Sequence, residues 1–449
     1  MDDQTPKPAG RISLDDLRAA VKQGTISTVM VAVPDMTGRL MGKRLAGHAF
    51  LERLDEGPRV SEACSYVLAT NVNMDPLTGF ALTSWDDGFQ DMGFDADPQT
   101  LRVLPYLSRT ALVHCDAVHR DGAPVEVAPR HLLRTWLGRL ADLGYEVRVG
   151  LESEFVLCRG MEPVVPHNLD YALGHPPLLA DFFSDLEHVL HGTGIPVEAV
   201  KTEGAAGQAE VTFPYGPAME ACDNYTVYKH AVRHLAAQQG LTATFMAAPF
   251  TGVGSGLHVH LSLWENDAPA FVTTPRQLPT DAMRHSIAGL LSALPHMAPL
   301  YAPHVNSYKR YATAHSFAPQ YMNWGNDNRG CAVRVTGQAD NTHLEIRLPG
   351  ADANPYLALA ASIAAIAHGL TGKLDPPPPC PGDAYTTKHG LPVPRDLSDG
   401  LAHFRDSTLA NRLFGSDVVR HYARAAEAER DEHRRQVTDI ERERGFDRA

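Results

Sequence analysis

The chain has 449 residues, of which 44% are hydrophobic and 21% charged, a composition typical of globular proteins with two or more domains. A formal net charge of -13 argues against nucleic acid as a partner, and no run of 18 apolar residues that would span a membrane is present. The six cysteines are scattered without a CxxC pair and the N-terminus has no apolar core, so we expect reduced thiols and a cytoplasmic protein.

The first predicted domain, residues 11–118, is a small mixed α/β unit. Residues 1–10 are polar, contain proline and are expected to be disordered. The pattern of Ser13–Gln23 predicts a helix with Ser13 as its N-cap. The β-rich run Ser27–Val33 is followed by a turn and a second extended segment, which is typical of a hairpin.

The second predicted domain, residues 123–449, follows a turn at Asp121-Gly122. It begins with an amphipathic helix, Arg130–Leu143, whose leucines recur at helical spacing before Gly144. The other predicted elements are strands at Glu146–Leu157, Val197–Lys201, Ala209–Phe213 and Gly256–Trp264, a connection over 158–180, helices over 217–239, 281–294 and 354–370, a proline-rich loop at Asp375–Gly382 and a charged helical tail.

The most informative stretch is Val149–Leu157, an apolar run interrupted by Glu152 and Glu154. Alternate side chains of a strand share a face, so these carboxylates would lie about 6–7 Å apart on one face. Two carboxylates inside a sheet need shifted pKa values, a basic partner or a metal, because desolvation and repulsion cost several kcal/mol. The alternative is an edge strand that carries two solvated glutamates.

Three further segments place polar side chains in strand contexts. They are Glu198, Glu203 and Glu210 around a glycine-rich turn, His258, His260 and Ser262 at alternate positions of one strand, and Glu345 with Arg347. Each segment alone has an ordinary structural explanation, such as a turn or a histidine pair in a core. Together they predict a site for Mg²⁺ or Mn²⁺ ions, because hard oxygen ligands with an imidazole suit these metals and enzymes that transfer phosphoryl groups.

Four arginines follow in the same half of the chain: Arg310, Arg329, Arg334 and Arg347. A planar guanidinium matches carboxylate and phosphate oxygens, so the set suits a site that binds an acid and a nucleotide. For each arginine alone, the alternative is a surface salt bridge.

These segments, in order and over nearly the full length of the chain, resemble the glutamine synthetase superfamily through ESE, EGAAGQAE, GSGLHVHLSLW, NRGCAVR and LEIRLPGADANPYL. The resemblance implies an α+β fold, with an N-terminal β-grasp domain and a catalytic domain whose curved antiparallel sheet is flanked by helices. It also implies a homo-oligomer of hexameric rings, stacked as a dodecamer, with active sites between neighbouring subunits. The implied reaction activates the γ-carboxylate of L-glutamate with ATP and joins it to an amine.

The resemblance also assigns roles by position. It implies that Glu154, Glu203 and Glu210 hold one divalent ion, that Glu152, His258 and Glu345 hold a second, and that each site takes two or three Mg²⁺ or Mn²⁺ ions. Nucleotide binding falls on Glu198, His260, Ser262 and Arg334, and glutamate binding on Gly254, Arg310, Arg329 and Arg347. Arg334 would also stabilise the transferring phosphoryl group.

The chain departs from this pattern at the flap that closes the site. Glutamine synthetases carry a glutamate there that helps to deprotonate ammonium, and Phe317 occupies that place in YATAHSFAPQ. Phenylalanine accepts no proton, and an aromatic ring would suit the alkyl part of a larger amine, as in the branch that γ-glutamylates polyamines and ethanolamine. Glu62 is a candidate acid for the amine pocket of a neighbouring subunit, with a plain surface glutamate as the alternative. Val253 and His343 stand where many members have asparagine and arginine.

Three hypotheses follow from these residues. The first is a γ-glutamyl ligase that uses an organic amine such as ethanolamine or a polyamine. The second is a glutamine synthetase that uses ammonium, and the third is a catalytically silent oligomer. Retention of all six predicted metal ligands argues against the third, because buried carboxylates without a function are costly.

Overall fold

The computed structural model describes residues 10–272, 279–387 and 390–448. The disorder predicted for the N-terminus therefore lies outside the described residues, apart from residue 10. Across the described ranges the chain forms two large sheets with separate helical layers, so the predicted α+β class is confirmed.

The first sheet is built from the N-terminal part of the chain. Its elements are α1 (Leu14–Gln23), β1 (Thr28–Pro34), β2 (Leu40–Ala46), α2 (Gly47–Glu56), β3 (Arg59–Cys64), β4 (Asp91–Ala96), β5 (Arg102–Val103) and β6 (Thr110–Val118). The strand order is β2-β1-β6-β4-β3, with β1 and β6 parallel and the other neighbours antiparallel. The Ser13 hydroxyl accepts the Asp16 N–H, which confirms the predicted N-cap of α1.

The second sheet carries most of the predicted polar residues. Its strands are β7 (Glu146–Arg159), β8 (Glu162–Pro163), β9 (Ala199–Thr202), β10 (Gln208–Thr212), β11 (Gly216–Pro217), β12 (Thr242–Thr244), β13 (Leu257–Glu265), β14 (Ala268–Pro269), β16 (Trp324–Asn326), β17 (Val333–Thr336) and β18 (His343–Ile346), while β15 (Tyr321–Met322) pairs with β19 (Leu391–Pro392) separately. The main order is β16-β17-β18-β13-β7-β10-β9, antiparallel except at the β16–β17 edge. The longest strand, β7, lies between β13 and β10 and pairs with both, so it fixes the register of their side chains.

Helices form the remaining elements of this part of the chain. They are α3 (Pro129–Asp142), α4 (Pro177–Gly192), α5 (Ala218–Gln238), α6 (Asp281–Ala293), α7 (Ala298–Tyr301), α8 (Pro355–Gly372), α9 (Leu397–Arg405), α10 (Thr408–Phe414), α11 (Ser416–Arg435) and α12 (Asp439–Gly445). Among them, α3, α5 and α6 contact the sheet. By length and hydropathy α8 could cross a membrane, but 78% of it is buried and it packs against α3 and α6, as a core helix does. The predicted connection over 158–180 is wrong at its end, because α4 starts at Pro177, where proline suits the first helical turn.

The two sheets are joined by a buried charge cluster centred on Arg130, at the start of α3. Its guanidinium nitrogens lie 2.7 Å from Asp97, 2.7 Å from Asp116 and 3.1 Å from Asp223. Burial alone would disfavour the charge, but these carboxylates, above all Asp223, raise the pKa of Arg130. The predicted boundary at residues 119–122 falls between the sheets and stays a prediction, since charged contacts cross it.

Replacement of Arg130 by Met is expected to lower the free energy of unfolding by about 3–5 kcal/mol, because it leaves buried carboxylates without their cation. Denaturant unfolding followed by circular dichroism measures this loss. Arg134 is a matched control, because it also pairs with Asp116 at 2.7 Å but is half exposed. Arg134→Met should cost less than about 1 kcal/mol. Equal losses for the two variants would contradict the assignment.

Candidate active site

The strands β7, β10 and β13 bring the predicted carboxylates and imidazole together. The β-ladder sets His258 opposite Glu152, and Glu210 opposite Glu154. The imidazole lies between the two β7 glutamates, with Nδ1 3.2 Å from a Glu152 oxygen and Nε2 3.8 Å from a Glu154 oxygen. The expectation that Glu152 and Glu154 share one face is therefore confirmed by their common neighbour.

Two groups of potential metal ligands share His258. One consists of Glu152, His258 and Glu345, and the other of Glu154, Glu210 and His258, with the ligand atoms of each group within 4.8 Å of one another. Five of the six predicted metal residues are thus gathered in one place. The sixth, Glu203, is paired with Lys201, whose ammonium also lies 3.5 Å from Glu210.

The protonation behaviour of these groups shows that they suit a cation. Burial, and then the charge of Glu203, raises the pKa of Glu154 to about 7. Burial, and then the charge of Glu152, raises the pKa of Glu210 to about 8. The Nε2 atom of His258 is buried without a hydrogen-bond partner among the described residues. Oxygen ligands with one imidazole fit Mg²⁺ or Mn²⁺, which would remove the cost of ionising these carboxyls.

Lys201 was not singled out in the sequence. It lies on β9, and Glu203 follows two residues later, directly after the end of this strand. Its ammonium contacts Glu203 and lies near Glu210 and, at 3.9 Å, Asp170. This fixed positive charge neutralises part of the carboxylate cluster. The alternation of Lys201 with Glu203 is the signal that could have found it.

The carboxylate of Glu345 is held by two of the predicted arginines. It is fully buried, accepts from Arg334 at 2.8 Å and contacts Arg347. Burial alone would raise its pKa, but the surrounding positive charges, that of Arg347 foremost and that of Arg334 among them, together lower the pKa of Glu345 to about 2. The charged carboxylate therefore points at His258 with its oxygen 3.5 Å from Nδ1.

The residues predicted to bind the substrate glutamate lie in two places. Arg310 is buried and donates to the carbonyl groups of Arg347 and Leu348 at 3.1 and 3.2 Å. Gly254 lies against it, since a Cβ there would be 3.1 Å from the Arg310 side chain. Arg329 is exposed and instead lines the neighbouring cavity together with Arg334.

Gln208 is a residue of this region that the sequence did not indicate. Its amide nitrogen donates to the Glu154 carboxylate at 2.9 Å and to the Gly254 carbonyl at 2.8 Å. It therefore links a predicted metal ligand to a predicted glutamate-binding loop.

The four residues predicted to bind the nucleotide line one cavity of about 520 Å³, and Glu152 and Arg329 line the same cavity. These four are Glu198, His260, Ser262 and Arg334. The cavity has an aromatic wall that sequence reasoning missed. The rings of Tyr215 and Trp264 are stacked with centroids 6.4 Å apart, and the Arg148 guanidinium lies 3.8 Å from the Trp264 ring. Such a platform suits a nucleobase.

Trp264→Ala is expected to weaken binding of ATP by about 1–3 kcal/mol, because stacking on a base contributes that much. Calorimetry or fluorescence titration with ADP and ATP measures the change. Trp264→Phe keeps an aromatic face and should restore most of the affinity. Unchanged affinity in the alanine variant would show that the base lies elsewhere.

His343 gives His260 a defined orientation. The Nδ1–H of His343 donates to the Asn341 carbonyl at 2.8 Å, so its Nε2 accepts from Nδ1 of His260 at 2.9 Å. The other nitrogen of His260 then faces a Glu152 oxygen at 3.1 Å. His343, at the position where many members of the superfamily have arginine, thus contacts a predicted nucleotide residue.

Phe317 is 63% exposed on the flap between the short helical turn 307–311 and β15. Its carbonyl accepts from Arg347 at 3.3 Å, which ties the flap to the predicted substrate site. Glu62 lies elsewhere in the same chain, exposed on β3 beside Lys43 and Arg59. Its predicted role in a neighbouring subunit stays a prediction.

Comparison with known proteins agrees with this geometry. The protein-family model for the glutamine synthetase catalytic domain matches residues 126–445. The chain is 41% identical to the γ-glutamylethanolamide synthetase of Streptomyces coelicolor over 99% of its own length and 97% of that protein. It is 32% identical to a glutamate–isopropylamine ligase from a Pseudomonas species, with 91% and 92% covered.

A solved structure of GmaS with ADP is similar to the whole chain, with a TM-score of 0.83, 25% identity and coverage of 96% of this chain and 99% of that one. The ordered motifs, the shared fold and these full-length similarities lead to one conclusion. The chain belongs to the glutamine synthetase family and is an ATP-dependent ligase that forms carbon–nitrogen bonds.

Proposed function

We propose that the protein joins the γ-carboxylate of L-glutamate to an organic amine, with ATP as co-substrate and Mg²⁺ or Mn²⁺ as cofactor. The observation that carries the proposal is Phe317. It is an exposed aromatic residue on the flap, tied to Arg347, where a glutamine synthetase would place an acid. An aromatic surface favours the alkyl part of an amine and gives ammonium no carboxylate.

The proposed reaction has two steps. A γ-carboxylate oxygen of glutamate attacks the γ-phosphorus of ATP, so ADP leaves and γ-glutamyl phosphate forms. The amine nitrogen then attacks the γ-carbonyl carbon, the C–N bond forms, and phosphate leaves with the electron pair of the broken C–O bond. Bound divalent ions would supply the positive charge that balances the phosphate oxygens.

The chain's own residues have distinct parts in this scheme. Glu152, Glu154, Glu210, His258 and Glu345 would hold the divalent ions, with Glu203 a further ligand once it separates from Lys201. Arg310 and Gly254 would position glutamate. Arg329 and Arg334 line the same cavity as the residues predicted to bind the nucleotide. They would therefore bind phosphate oxygens of ATP or the glutamate carboxylate that reacts with it.

The named relatives support an organic acceptor. One is called a γ-glutamylethanolamide synthetase and another a glutamate–isopropylamine ligase. Ethanolamine is therefore the first acceptor to test, followed by polyamines and short alkylamines. We also propose a cytoplasmic homo-oligomer of hexameric rings, in keeping with the free state of all six cysteines and with the exposure of large apolar side chains such as Trp85 and Phe446.

A second candidate is glutamine synthesis from ammonium. It is favoured by 33% identity to a protein named glutamine synthetase from Thermus thermophilus, over 77% of this chain and 82% of that one. Glu62 from a neighbouring subunit would then be the first residue to test as the carboxylate that helps to deprotonate ammonium.

The test measures phosphate release with ATP, Mg²⁺ and glutamate and identifies the products by mass spectrometry. The acceptors are ammonium, ethanolamine, putrescine, spermidine and methylamine. We expect the highest kcat/KM with an organic amine and little turnover with ammonium. A value with ammonium equal to or above that with every amine would overturn the proposal.

Phe317→Glu is expected to shift the ratio of kcat/KM for ammonium over the best organic amine upward by about tenfold or more. The new carboxylate would attract ammonium and accept its proton, while the apolar surface for the alkyl part is lost. Phe317→Leu, which keeps an apolar side chain, is the control and should leave this ratio within about threefold. An unchanged ratio in the glutamate variant would show that position 317 does not face the acceptor.

A further inference from the structure

We propose that His315, held by Asp383, takes the proton that the amine must lose before it attacks γ-glutamyl phosphate. The inference rests on the proposed ligase function. It assigns a residue to deprotonation of the amine, a step for which the flap has no carboxylate. It concerns a residue of the flap itself, two positions before Phe317.

The reaction needs such a group because alkylamines and ammonium are protonated at neutral pH and then lack the lone pair that attacks carbon. Phe317 cannot accept a proton. Five carboxylates of the predicted metal site have partners of their own within the described residues: Glu152 with His258, Glu154 with Gln208 and the Gly256 N–H, Glu203 and Glu210 with Lys201, and Glu345 with Arg334 and Arg347. We therefore place the base outside the carboxylate cluster, on the flap itself.

His315 and Asp383 have the geometry of an oriented base. Nε2 of His315 lies 3.2 Å from Oδ2 of Asp383, and Oδ1 of Asp383 accepts the Tyr385 N–H at 2.9 Å. Because a carboxylate only accepts hydrogen bonds, the neutral imidazole carries its proton on Nε2 and keeps a lone pair on Nδ1. A histidine oriented by a third group is the usual form of a general base.

The pair lies at the edge of the predicted substrate site. The ring of Tyr385 is 4.8 Å from the ring of His315, and its hydroxyl donates to the Ala318 carbonyl at 3.1 Å. Tyr385 also lies against Gly330, where a Cβ would be 3.2 Å from the tyrosine ring. The flap, the 383–387 loop and the segment that carries Arg329 are thus packed together. His315 remains 65% exposed, so an incoming amine can reach it.

The backbone supports a functional role for this part of the flap. Phe317 has φ of +60°, in the left-handed region that residues other than glycine, asparagine, aspartate and histidine rarely adopt, and His315, two positions before it, has φ of +57°. Such strain persists where surrounding contacts hold it, and it is concentrated at functional sites. Here Arg347 holds the Phe317 carbonyl, and Tyr385 holds the Ala318 carbonyl.

The groups around His315 are a carboxylate and a phenol. Within the part of the chain that the structure describes, the titratable groups in contact with it are Asp383 and Tyr385. The pKa of Asp383 is lowered by the Tyr385 N–H and by His315, so its carboxylate stays charged. Burial raises the pKa of Tyr385, which stays neutral.

The proposed step is balanced. The ammonium form of the acceptor gives one proton to Nδ1 of His315 and becomes a neutral amine. Its lone pair forms the C–N bond to the γ-carbon, phosphate leaves with the electrons of the C–O bond, and the second N–H proton passes to the departing phosphate. The imidazolium is stabilised by Asp383 and returns its proton to solvent.

The test compares two acceptors in His315→Gln. Hydroxylamine is largely unprotonated at neutral pH and needs no base, whereas ethanolamine, or ammonium if that is the acceptor, arrives protonated. We expect kcat/KM with the protonated acceptor to fall by about 100-fold or more, the usual contribution of a general base, and that with hydroxylamine to stay within about threefold. Equal losses with both acceptors, or no loss with either, would overturn the proposal.

Two controls separate this role from a structural one. His119 forms a similar partly exposed pair with Glu126 at 3.2 Å, so His119→Gln should leave both acceptors unaffected. Asp383→Ala removes the acceptor that orients the imidazole, so kcat/KM with the protonated acceptor should fall while that with hydroxylamine changes little. No fall with the protonated acceptor would count against the pair. Absence of hydroxamate formation by the wild-type enzyme would instead overturn the ligase function.

Discussion

Glu154→Gln is expected to lower kcat/KM with the best acceptor by at least about 100-fold, because it removes a charge that the proposed divalent ion needs. The change is nearly isosteric. The oxygen of the introduced amide can still accept from Gln208 and from the Gly256 N–H, which bond the present carboxylate at 2.9 Å each. A loss of activity would therefore reflect charge and not a collapsed site.

Steady-state kinetics measure the loss of activity, and titration with Mn²⁺ followed by electron paramagnetic resonance measures metal binding. The variant should bind Mn²⁺ more weakly while its ADP affinity changes less. Glu146→Gln is a matched control on the same strand, because Glu146 is 59% exposed and pairs only with Arg148 among the described residues. It should retain activity within about twofold. If Glu154→Gln kept a third of wild-type turnover, the proposed metal role would be wrong.

The second large effect is a pH dependence of the stabilisation by metal. Burial raises the pKa of Glu154 to about 7 and that of Glu210 to about 8, above the value of 4.5 for an unperturbed glutamate. In the metal-free protein these carboxyls hold protons that the unfolded chain has lost. Their contribution to stability is therefore fully present only below pH 4.5 and is lost as the pH rises towards 8.

Metal binding reverses this trend, because bound ions require the ionised carboxylates. The free energy of unfolding that Mn²⁺ adds should therefore grow between pH 6.5 and 8.5, by about 1.4 kcal/mol per pH unit for each proton displaced, and the increase in Tm should grow with it. Thermal unfolding with Mn²⁺ and with a chelator measures it. Other groups, such as buried Lys229 with its pKa lowered by burial to about 7, contribute to both conditions and cancel in the difference.

A double variant, Glu154→Gln with Glu210→Gln, provides the reference for this experiment. It should show a smaller metal effect that varies little with pH, because the two groups that release protons are gone. Release of protons on addition of Mn²⁺ to weakly buffered protein gives an independent measure. A metal effect in the wild type that is constant from pH 6.5 to 8.5 would contradict the proposed protonation of these residues.

The local sequence was sufficient for the main elements of the site. The alternation of carboxylates and imidazoles in β7 and β13 predicted which side chains share a face, since strand geometry leaves few choices. Glycine turns and amphipathic spacing likewise placed α3, α5 and the β1–β2 hairpin within a few residues of their observed bounds. The helix α4 was not predicted at all, because the prolines before it resembled those of a loop.

Long-range contacts lay outside what the sequence could show. Lys201 meets Glu210 only because β9 and β10 are adjacent, and His260 meets His343 only because β13 pairs with β18. The link between Arg130 and Asp223 joins residues 93 positions apart. None of these pairs has a local spacing that distinguishes it from a surface residue.

By itself, the sequence determined the family and the fold class and predicted a divalent-metal site, because these depend on residue types at fixed spacing along strands. The tertiary structure decided how the charges are balanced. It showed which carboxylates are buried enough to hold protons, that Lys201 neutralises one part of the cluster, and that His315 and Asp383 meet across two loops. Pairing and burial depend on the three-dimensional arrangement of distant segments, and they set the pKa values and the contacts on which the proposed chemistry relies.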